Sequence, residues 1–190
     1  MLSYDTFIQQ EKIAVKNKTV LIVSRLEERT KKISVALRIW KRIEQNPILS
    51  DWSLQIVGEG PDFEDYKRYV QNNLQRVTFY GKQEPRSFYE KASVFLMTSA
   101  YEGWGITLTE AQQFGCVPIV MNTYSAARDI ISNKENGFLV DYECQFIRRL
   151  EQLMTDTTLR NIMAKKAVES SHRFEKARIT DLWINLLNTL

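Results

Sequence analysis

The chain has 190 residues, a length typical of one domain, and 44% of them are hydrophobic, which suffices for a buried core. A net charge of +3 is too small to indicate a nucleic-acid binder. Cys116, Cys144 and the single histidine, His172, are too few for a Cys/His zinc site or a disulfide scaffold. No apolar run approaches the ~18 residues of a membrane-spanning helix, and residues 1–20 lack the apolar core of a signal peptide. We therefore expect a cytoplasmic protein with reduced thiols.

Short apolar runs alternate with helical spacings between residues 20 and 140. Continuous apolar runs are typical of parallel strands, which are covered on both faces. The six strands predicted in this way are 20–24, 53–57, 76–80, 94–97, 117–121 and 137–140. Helical spacing follows most of them, over 33–43, 63–70, 85–91, 106–114 and 125–132. Strict alternation predicts an α/β fold with a doubly wound, parallel, six-stranded Rossmann-like sheet.

The pattern after residue 141 is purely helical, so C-terminal helices are predicted over 143–190. Asp156 is a plausible N-cap for one of them, over 157–170. The last helix carries an apolar stripe from Ile179 to Leu190. This stripe fits packing against the domain's own sheet, or contact with another domain.

Ligands of such sheets bind beyond the carboxyl ends of the strands, which directs attention to loops 24–31, 58–61, 99–105 and 122–125. No G-x-G-x-x-G follows the first strand, which disfavours a dehydrogenase. The sequence also lacks G-x-x-x-x-G-K-[ST], the motif of a P-loop, so a P-loop NTPase is disfavoured as well. Arg25 and Lys31 stand there instead. Two cations at a strand end suit a diphosphate, although solvated surface charge is the plain alternative.

The loop after the fourth strand has the residues for close contact with a ligand. Gly103 and Gly105 allow close backbone approach, and their amides, with those of Trp104 and Ile106, precede a helix and form a potential anion site. Glu102 would repel an anion at that spot, so neutral hydroxyls such as those of a sugar suit it better.

Glu110 lies about two turns into the same predicted helix. If it faces the cleft, its two oxygens would bridge adjacent hydroxyls of a ribose. The plain alternatives are an N-terminal helix charge for Glu102 and ordinary surface for Glu110.

The segment 102–111, E-G-W-G-I-T-L-T-E-A, continued by 114–120, resembles the E-x7-E signature of retaining glycosyltransferases of the GT-B fold, in glycosyltransferase group 1 or family 4. Ser24-Arg25-Leu26 with Lys31-Lys32 is similar to another motif of the family. Further similar segments are 58–61, 77–81, 136–140 and 173–174. The resemblance covers residues 19–190.

The resemblance implies that residues 19–190 form the C-terminal, donor-binding domain and that residues 1–18 are an interdomain connector. Arg25, Lys31 and Glu102 would be the catalytic residues: the two cations neutralise the donor diphosphate and Glu102 contacts the sugar. The donor-binding residues would be Gly58, Gly103, Trp104, Gly105, Ile106 and Glu110, with Gly58 on the base and phosphate side and Glu110 on the ribose.

The activity implied is transfer of a sugar, with retention, from a UDP- or GDP-linked donor, without a cofactor or metal, since no D-x-D is present. The partner would be an absent N-terminal acceptor domain, so the domain alone is expected to be inactive. The acceptor would be a saccharide or a lipid-linked glycan, and the full-length protein would be peripheral to the inner face of the membrane. A stand-alone nucleotide-sugar-binding or regulatory subunit is the alternative. Thr123–Asp129 departs from the family's usual glycine pair.

Overall fold

The computed structural model describes residues 2–189. Six parallel strands form one sheet with the order β3-β2-β1-β4-β5-β6. The strands are β1 (Asn17–Val23), β2 (Ser53–Val57), β3 (Val77–Phe79), β4 (Ala92–Met97), β5 (Val117–Met121) and β6 (Phe138–Val140). All six predicted strands are confirmed, and so is the doubly wound fold class.

Ten α-helices are described within residues 2–189. They are α1 (Gln10–Ile13), α2 (Glu28–Lys31), α3 (Ile33–Glu44), α4 (Phe63–Asn73), α5 (Arg86–Lys91), α6 (Ile106–Gln113), α7 (Ala126–Ile130), α8 (Glu143–Thr155), α9 (Thr157–Ser171) and α10 (Lys176–Asn188). Asp156 caps α9 as predicted, because its side chain accepts a hydrogen bond from the Leu159 amide. Gly115 adopts a left-handed conformation after α6, with φ of 69°, as glycines that follow the end of a helix commonly do.

Strand order reverses between β1 and β4, which lie side by side although they are far apart in the chain. Val20 pairs with Leu54 of β2 on one side and with Val94 of β4 on the other. The connection after β1 leads to one edge of the sheet and the connection after β4 leads to the other. Such a switch point leaves a crevice at the carboxyl ends of the two strands.

The core lies on both faces of the sheet. Helix α3 packs between α4 and α8, while α6 packs against α9. Trp40, Phe95 and Phe146 have no exposed surface, which places large apolar groups in the middle of these layers. Burial on both faces is why the strands are continuous apolar runs.

Residues 2–13 pack on the domain. Leu2, Ile8 and Ile13 are buried in the core, and the Leu2 amide donates to the Phe174 carbonyl at 2.9 Å. Strand β1 begins at Asn17, slightly before the predicted domain boundary at residue 19. A connector role for residues 1–18 stays a prediction.

Helix α10 departs from the first of its two predicted arrangements. It has no buried residue, and Trp183 and Leu187 are 61% and 64% exposed. The prediction that this stripe packs on the domain's own sheet is therefore wrong, because other helices, α5, α6, α8 and α9, already pack on the strands. No helix within residues 2–189 is long and apolar enough to cross a membrane.

Candidate functional site

Two adjoining cavities lie at the carboxyl ends of the central strands. The first, which we call the β4 cavity, has a volume of about 330 Å³ and extends from β1 to Glu102, Trp104 and Ile106. The second, the β2 cavity, has about 750 Å³ and is lined by residues 57–61 and by Lys82 and Gln83. Both volumes are within the roughly 300–1,000 Å³ of small-molecule sites.

The two cavities share one wall. Val23, Ser24, Arg25 and Thr107 line both of them. Arg25 is exposed, and its guanidinium makes no hydrogen bond or ion pair with any of residues 2–189. A ligand that spans the two cavities would pass this guanidinium, which is a bidentate donor for phosphate.

Gly58 and Gly60 hold the loop after β1 in place. A Cβ on Gly58 would come within 1.8 Å of the Ser24 carbonyl oxygen, and one on Gly60 within 2.1 Å of the Leu26 carbonyl oxygen. Gly58 also has φ of +141°, which side chains rarely allow. The predicted position of Gly58 beside the cleft is therefore observed, and its glycine identity follows from close packing of two backbone segments.

Lys31 and Glu102 form an ion pair inside the β4 cavity. Lys31 Nζ lies 2.6 Å from Glu102 Oε1, and the two side chains are only 20% and 14% exposed. Ser99 Oγ donates to the same oxygen at 2.7 Å. The two sequence-predicted residues are thus brought together, and in this structure each is the other's partner.

The loop before α6 has the geometry expected of an anion site. Gly105 adopts φ of +95° immediately before the first residue of α6. The Leu108 amide donates to the Gly105 carbonyl at 2.9 Å, whereas the amides of Ile106 and Thr107 precede the first hydrogen bond of the helix and have no partners within it. Trp104, Gly105 and Ile106 line the β4 cavity. Gly103 is exposed, and a Cβ added to it would meet nothing within 4 Å, so protein packing does not require a glycine there.

Glu110 differs from the other predicted residues in its surroundings. It is 7% exposed and does not contribute to the walls of either cavity. Its Oε2 accepts a hydrogen bond from the Tyr89 hydroxyl at 2.9 Å. Thr107, one turn earlier on α6, does line both cavities, and residues three apart share a helix face. Glu110 therefore lies on the helix face that borders the cleft, without lining either cavity.

Sequence reasoning missed three residues that line the cleft and one that packs beneath it. Lys82 and Gln83 line the β2 cavity and follow Gly81 at the end of β3, a strand-end signal that could have found them. Thr107 lies within the E-x7-E segment itself. Tyr124 packs beneath Gly105, its hydroxyl 3.2 Å from where a Cβ would stand, and burial raises its pKa, so the hydroxyl stays neutral.

Residues 123–129, which depart from the family pattern, help to hold the site together. Thr123 Oγ1 donates to the Ser99 carbonyl at 2.5 Å, which ties the loop after β5 to the loop after β4. The one histidine lies elsewhere: His172 is exposed and its ring stacks on Phe7 with centroids 3.9 Å apart. It lines neither cavity.

A parallel sheet of this strand order, with a cleft at its switch point, is the architecture of Rossmann-like nucleotide-binding domains. Residues 3–170 match the model of the family described as glycosyl transferases group 1, and the chain belongs to that family. The resemblance to the C-terminal domain of GT-B glycosyltransferases is thereby confirmed.

Individual relatives agree with this assignment. The amylovoran biosynthesis glycosyltransferase AmsD of Erwinia amylovora is 30% identical over 92% of this chain and 49% of its own length. A Campylobacter jejuni enzyme, named GalNAc-alpha-(1->4)-GalNAc-alpha-(1->3)-diNAcBac-PP-undecaprenol alpha-1,4-N-acetyl-D-galactosaminyltransferase, is 25% identical over 98% of this chain and 50% of its own length. The chain therefore spans about half the length of the curated relatives it matches.

One solved structure illustrates the likeness in fold. The pneumococcal O-GlcNAc transferase GtfA, in complex with UDP and GlcNAc, has a TM-score of 0.83 and 20% identity to this chain. The match covers 98% of this chain and 38% of that one. At this level of identity the likeness shows the fold alone.

Proposed function

We propose that this chain is the donor-binding half of a retaining glycosyltransferase that takes its sugar from a UDP- or GDP-linked donor. The observation that carries the proposal is the pair of cavities joined at Arg25. A nucleotide sugar has three parts in a row, and the cleft offers three matching regions: the β2 cavity for the nucleoside, the shared wall for the diphosphate, and the β4 cavity for the sugar.

The shared wall provides positive charge where the diphosphate would lie. The guanidinium of Arg25 is free to pair with it, and Lys31 is in the adjoining β4 cavity. Negative charge grows on the diphosphate as the bond to the sugar breaks. Fixed cations at that position stabilise the transition state more than the ground state, which is the role we assign to Arg25 and Lys31. No metal ion is needed for this role.

Glu102 suits the sugar end of the cleft. Its carboxylate is oriented by Ser99 and Lys31 and accepts hydrogen bonds from neutral hydroxyl groups. The first-turn amides of α6, beyond Gly105, lie along the same cavity and suit phosphate or sugar oxygens. Retention of configuration rests on the match to the E-x7-E signature.

The rest of the enzyme would lie in a second domain. The relatives are about twice as long as the matched region, so we assign acceptor binding to an N-terminal domain and expect no transfer by this domain alone. The name of the Campylobacter relative specifies an undecaprenol-linked saccharide. It supports a lipid-linked glycan as acceptor, and we assign the full-length protein to the inner face of the membrane.

Calorimetry of the folded protein with UDP, GDP and ADP tests the proposal. We expect one of the three nucleotides to bind at a single site, and binding of none would overturn it. Sequencing upstream of the gene separates the two forms of the proposal. An open reading frame for a further domain of about 170–200 residues indicates one longer enzyme, whereas a separate neighbouring gene indicates a stand-alone donor-binding subunit.

A further inference from the structure

A buried tyrosine holds the carboxylate of Glu110. Tyr89, on α5, has no exposed surface, and its hydroxyl donates to Glu110 Oε2 at 2.9 Å. Glu110 Oε1 accepts no hydrogen bond from residues 2–189. One oxygen of the carboxylate is thus occupied by the protein and the other is available.

Tyr89 is itself fixed at both ends. Its ring stacks parallel to Phe114, with centroids 6.2 Å apart. Its carbonyl oxygen accepts from Lys16 Nζ at 2.6 Å and from Cys116 Sγ at 3.2 Å. Lys16 also donates to the Ala92 carbonyl at 2.6 Å, which ties the junction of α5 and β4 to the residue that precedes β1. The hydroxyl therefore points in one direction.

The protonation states of Tyr89 and Glu110 favour a fixed orientation of the Glu110 carboxylate. Burial, together with the nearby Glu110 carboxylate, raises the pKa of Tyr89 well above its ordinary value. The phenol consequently remains protonated, and therefore a hydrogen-bond donor, at neutral pH. Since a phenol offers a single hydrogen, it selects one rotamer of the carboxylate that accepts it.

We propose that Tyr89 is a positioning residue for the ribose: it engages Oε2 of Glu110 so that Oε1 faces a ribose hydroxyl group. Thr107 lines both cavities one turn before Glu110, and residues three apart lie on the same face of a helix, so Glu110 is on the side of α6 that borders the cleft. The inference rests on the proposed function, in which Glu110 binds the ribose of the donor. Tyr89 itself lines neither cavity.

The test compares UDP with 2′,3′-dideoxyuridine diphosphate, which lacks both ribose hydroxyls. In Tyr89→Phe we expect UDP to bind about ten-fold more weakly, the loss typical of a single hydrogen bond to a charged group. Binding of the dideoxy analogue is expected to stay at the wild-type level. A merely structural role would weaken both ligands equally.

Tyr66→Phe is the matched control. The Tyr66 hydroxyl donates to Glu28 Oε2, also at 2.9 Å, and Tyr66 is 5% exposed but lines neither cavity. The same chemical change is thereby made outside the site. We expect it to leave the ratio of UDP to dideoxy affinity unchanged.

The possible results distinguish a failure of the positioning role of Tyr89 from a failure of the proposed function. If the wild type prefers UDP over the dideoxy analogue and Tyr89→Phe keeps that preference, the positioning role is wrong and the proposed function stands. If the wild type binds no nucleotide, the proposed function fails and takes the positioning role with it. Should Tyr89→Phe unfold, 4-fluorophenylalanine in place of Tyr89 fills the volume of the hydroxyl without donating, and the same two outcomes apply.

Discussion

Lys31 Nζ and Glu102 Oε1 lie 2.6 Å apart in the β4 cavity, so the cation that would receive a diphosphate is already paired with a carboxylate. Both side chains are largely shielded from solvent, which strengthens their mutual attraction relative to an exposed pair. A nucleoside diphosphate would have to share Lys31 with Glu102. The negative charge of Glu102 therefore opposes binding of the bare nucleotide while its oxygen serves the sugar.

Replacing Glu102 by glutamine should tighten binding of UDP. Glu102→Gln keeps the shape and removes the competing charge, and we expect about three-fold higher affinity at low salt, the range of a partly shielded ion pair. Calorimetry with UDP measures it. The effect should vanish in a Lys31→Met background, and weaker UDP binding by Glu102→Gln alone would contradict a competing role.

Arg25 should carry much of the affinity for phosphate. It lines both cavities, and we expect Arg25→Ala to weaken nucleoside diphosphate binding by about 1.5–3 kcal/mol, as for hydrogen bonds to charged groups. Arg29→Ala is the control, since Arg29 is exposed on the same segment and lines neither cavity. Equal losses in the two variants would mean that general surface charge attracts the nucleotide.

Gly58 should tolerate no side chain. In Gly58→Ala the new Cβ would meet the Ser24 carbonyl oxygen at 1.8 Å, and the loop that carries Arg25 would have to move. We expect a loss of at least about 2 kcal/mol in unfolding free energy, typical of overpacking, together with weaker UDP binding. Denaturant unfolding is the measurement.

Gly81→Ala provides the comparison for Gly58→Ala. Gly81 also has a positive φ, +67°, but a Cβ there meets nothing within 4 Å. Only the backbone strain of about 1 kcal/mol should remain. Similar losses of unfolding free energy in Gly58→Ala and Gly81→Ala would show that the contact with Ser24 adds no destabilisation of its own.

Glu28 should make stability dependent on acid pH. Burial opposes its charge, but hydrogen bonds from Ser34 and Tyr66 outweigh burial and hold the pKa of Glu28 below its ordinary value of 4.5. A carboxyl whose folded pKa is lowered stabilises the fold above its unfolded pKa, and this contribution is lost as the pH falls through the folded pKa.

We therefore expect the stability advantage of the wild type over Glu28→Gln to be constant above about pH 5 and to shrink below about pH 4.5. Urea unfolding at a series of pH values measures it. Tyr66→Phe removes one of the hydrogen bonds to Glu28 and should reduce this pH dependence in part. An advantage that grows on acidification would reverse the assigned sign.

The sheet and its site edge could be predicted from local pattern. Each apolar run between residues 20 and 140 became a strand, and the cleft residues Arg25, Gly58 and Gly105 all lie in loops that follow a strand in the chain. Parallel strands place their carboxyl ends at one edge, so position after a strand is enough to bring such residues to a common cleft.

Contacts between particular pairs of side chains could not be predicted from the sequence. Lys31 and Glu102 are 71 residues apart, and Tyr89 and Glu110 are 21 apart. Nothing in the local spacing of either pair indicates that they touch. The exposed stripe of α10 was equally undecided, since the same spacing fits a core face or an interface.

The sequence by itself determined the alternation of strands and helices, the family, and the set of residues at the strand ends, because these depend on burial periodicity and on short motifs. Only the tertiary structure decided that Lys31 is paired with Glu102 and that Glu110 is held by Tyr89. The physical reason for the first pair is strand order: β1 and β4 become neighbours because the strand order reverses between them, and that adjacency brings the loops after them into contact. Tyr89 and Glu110 meet because α5 and α6 both pack against β4.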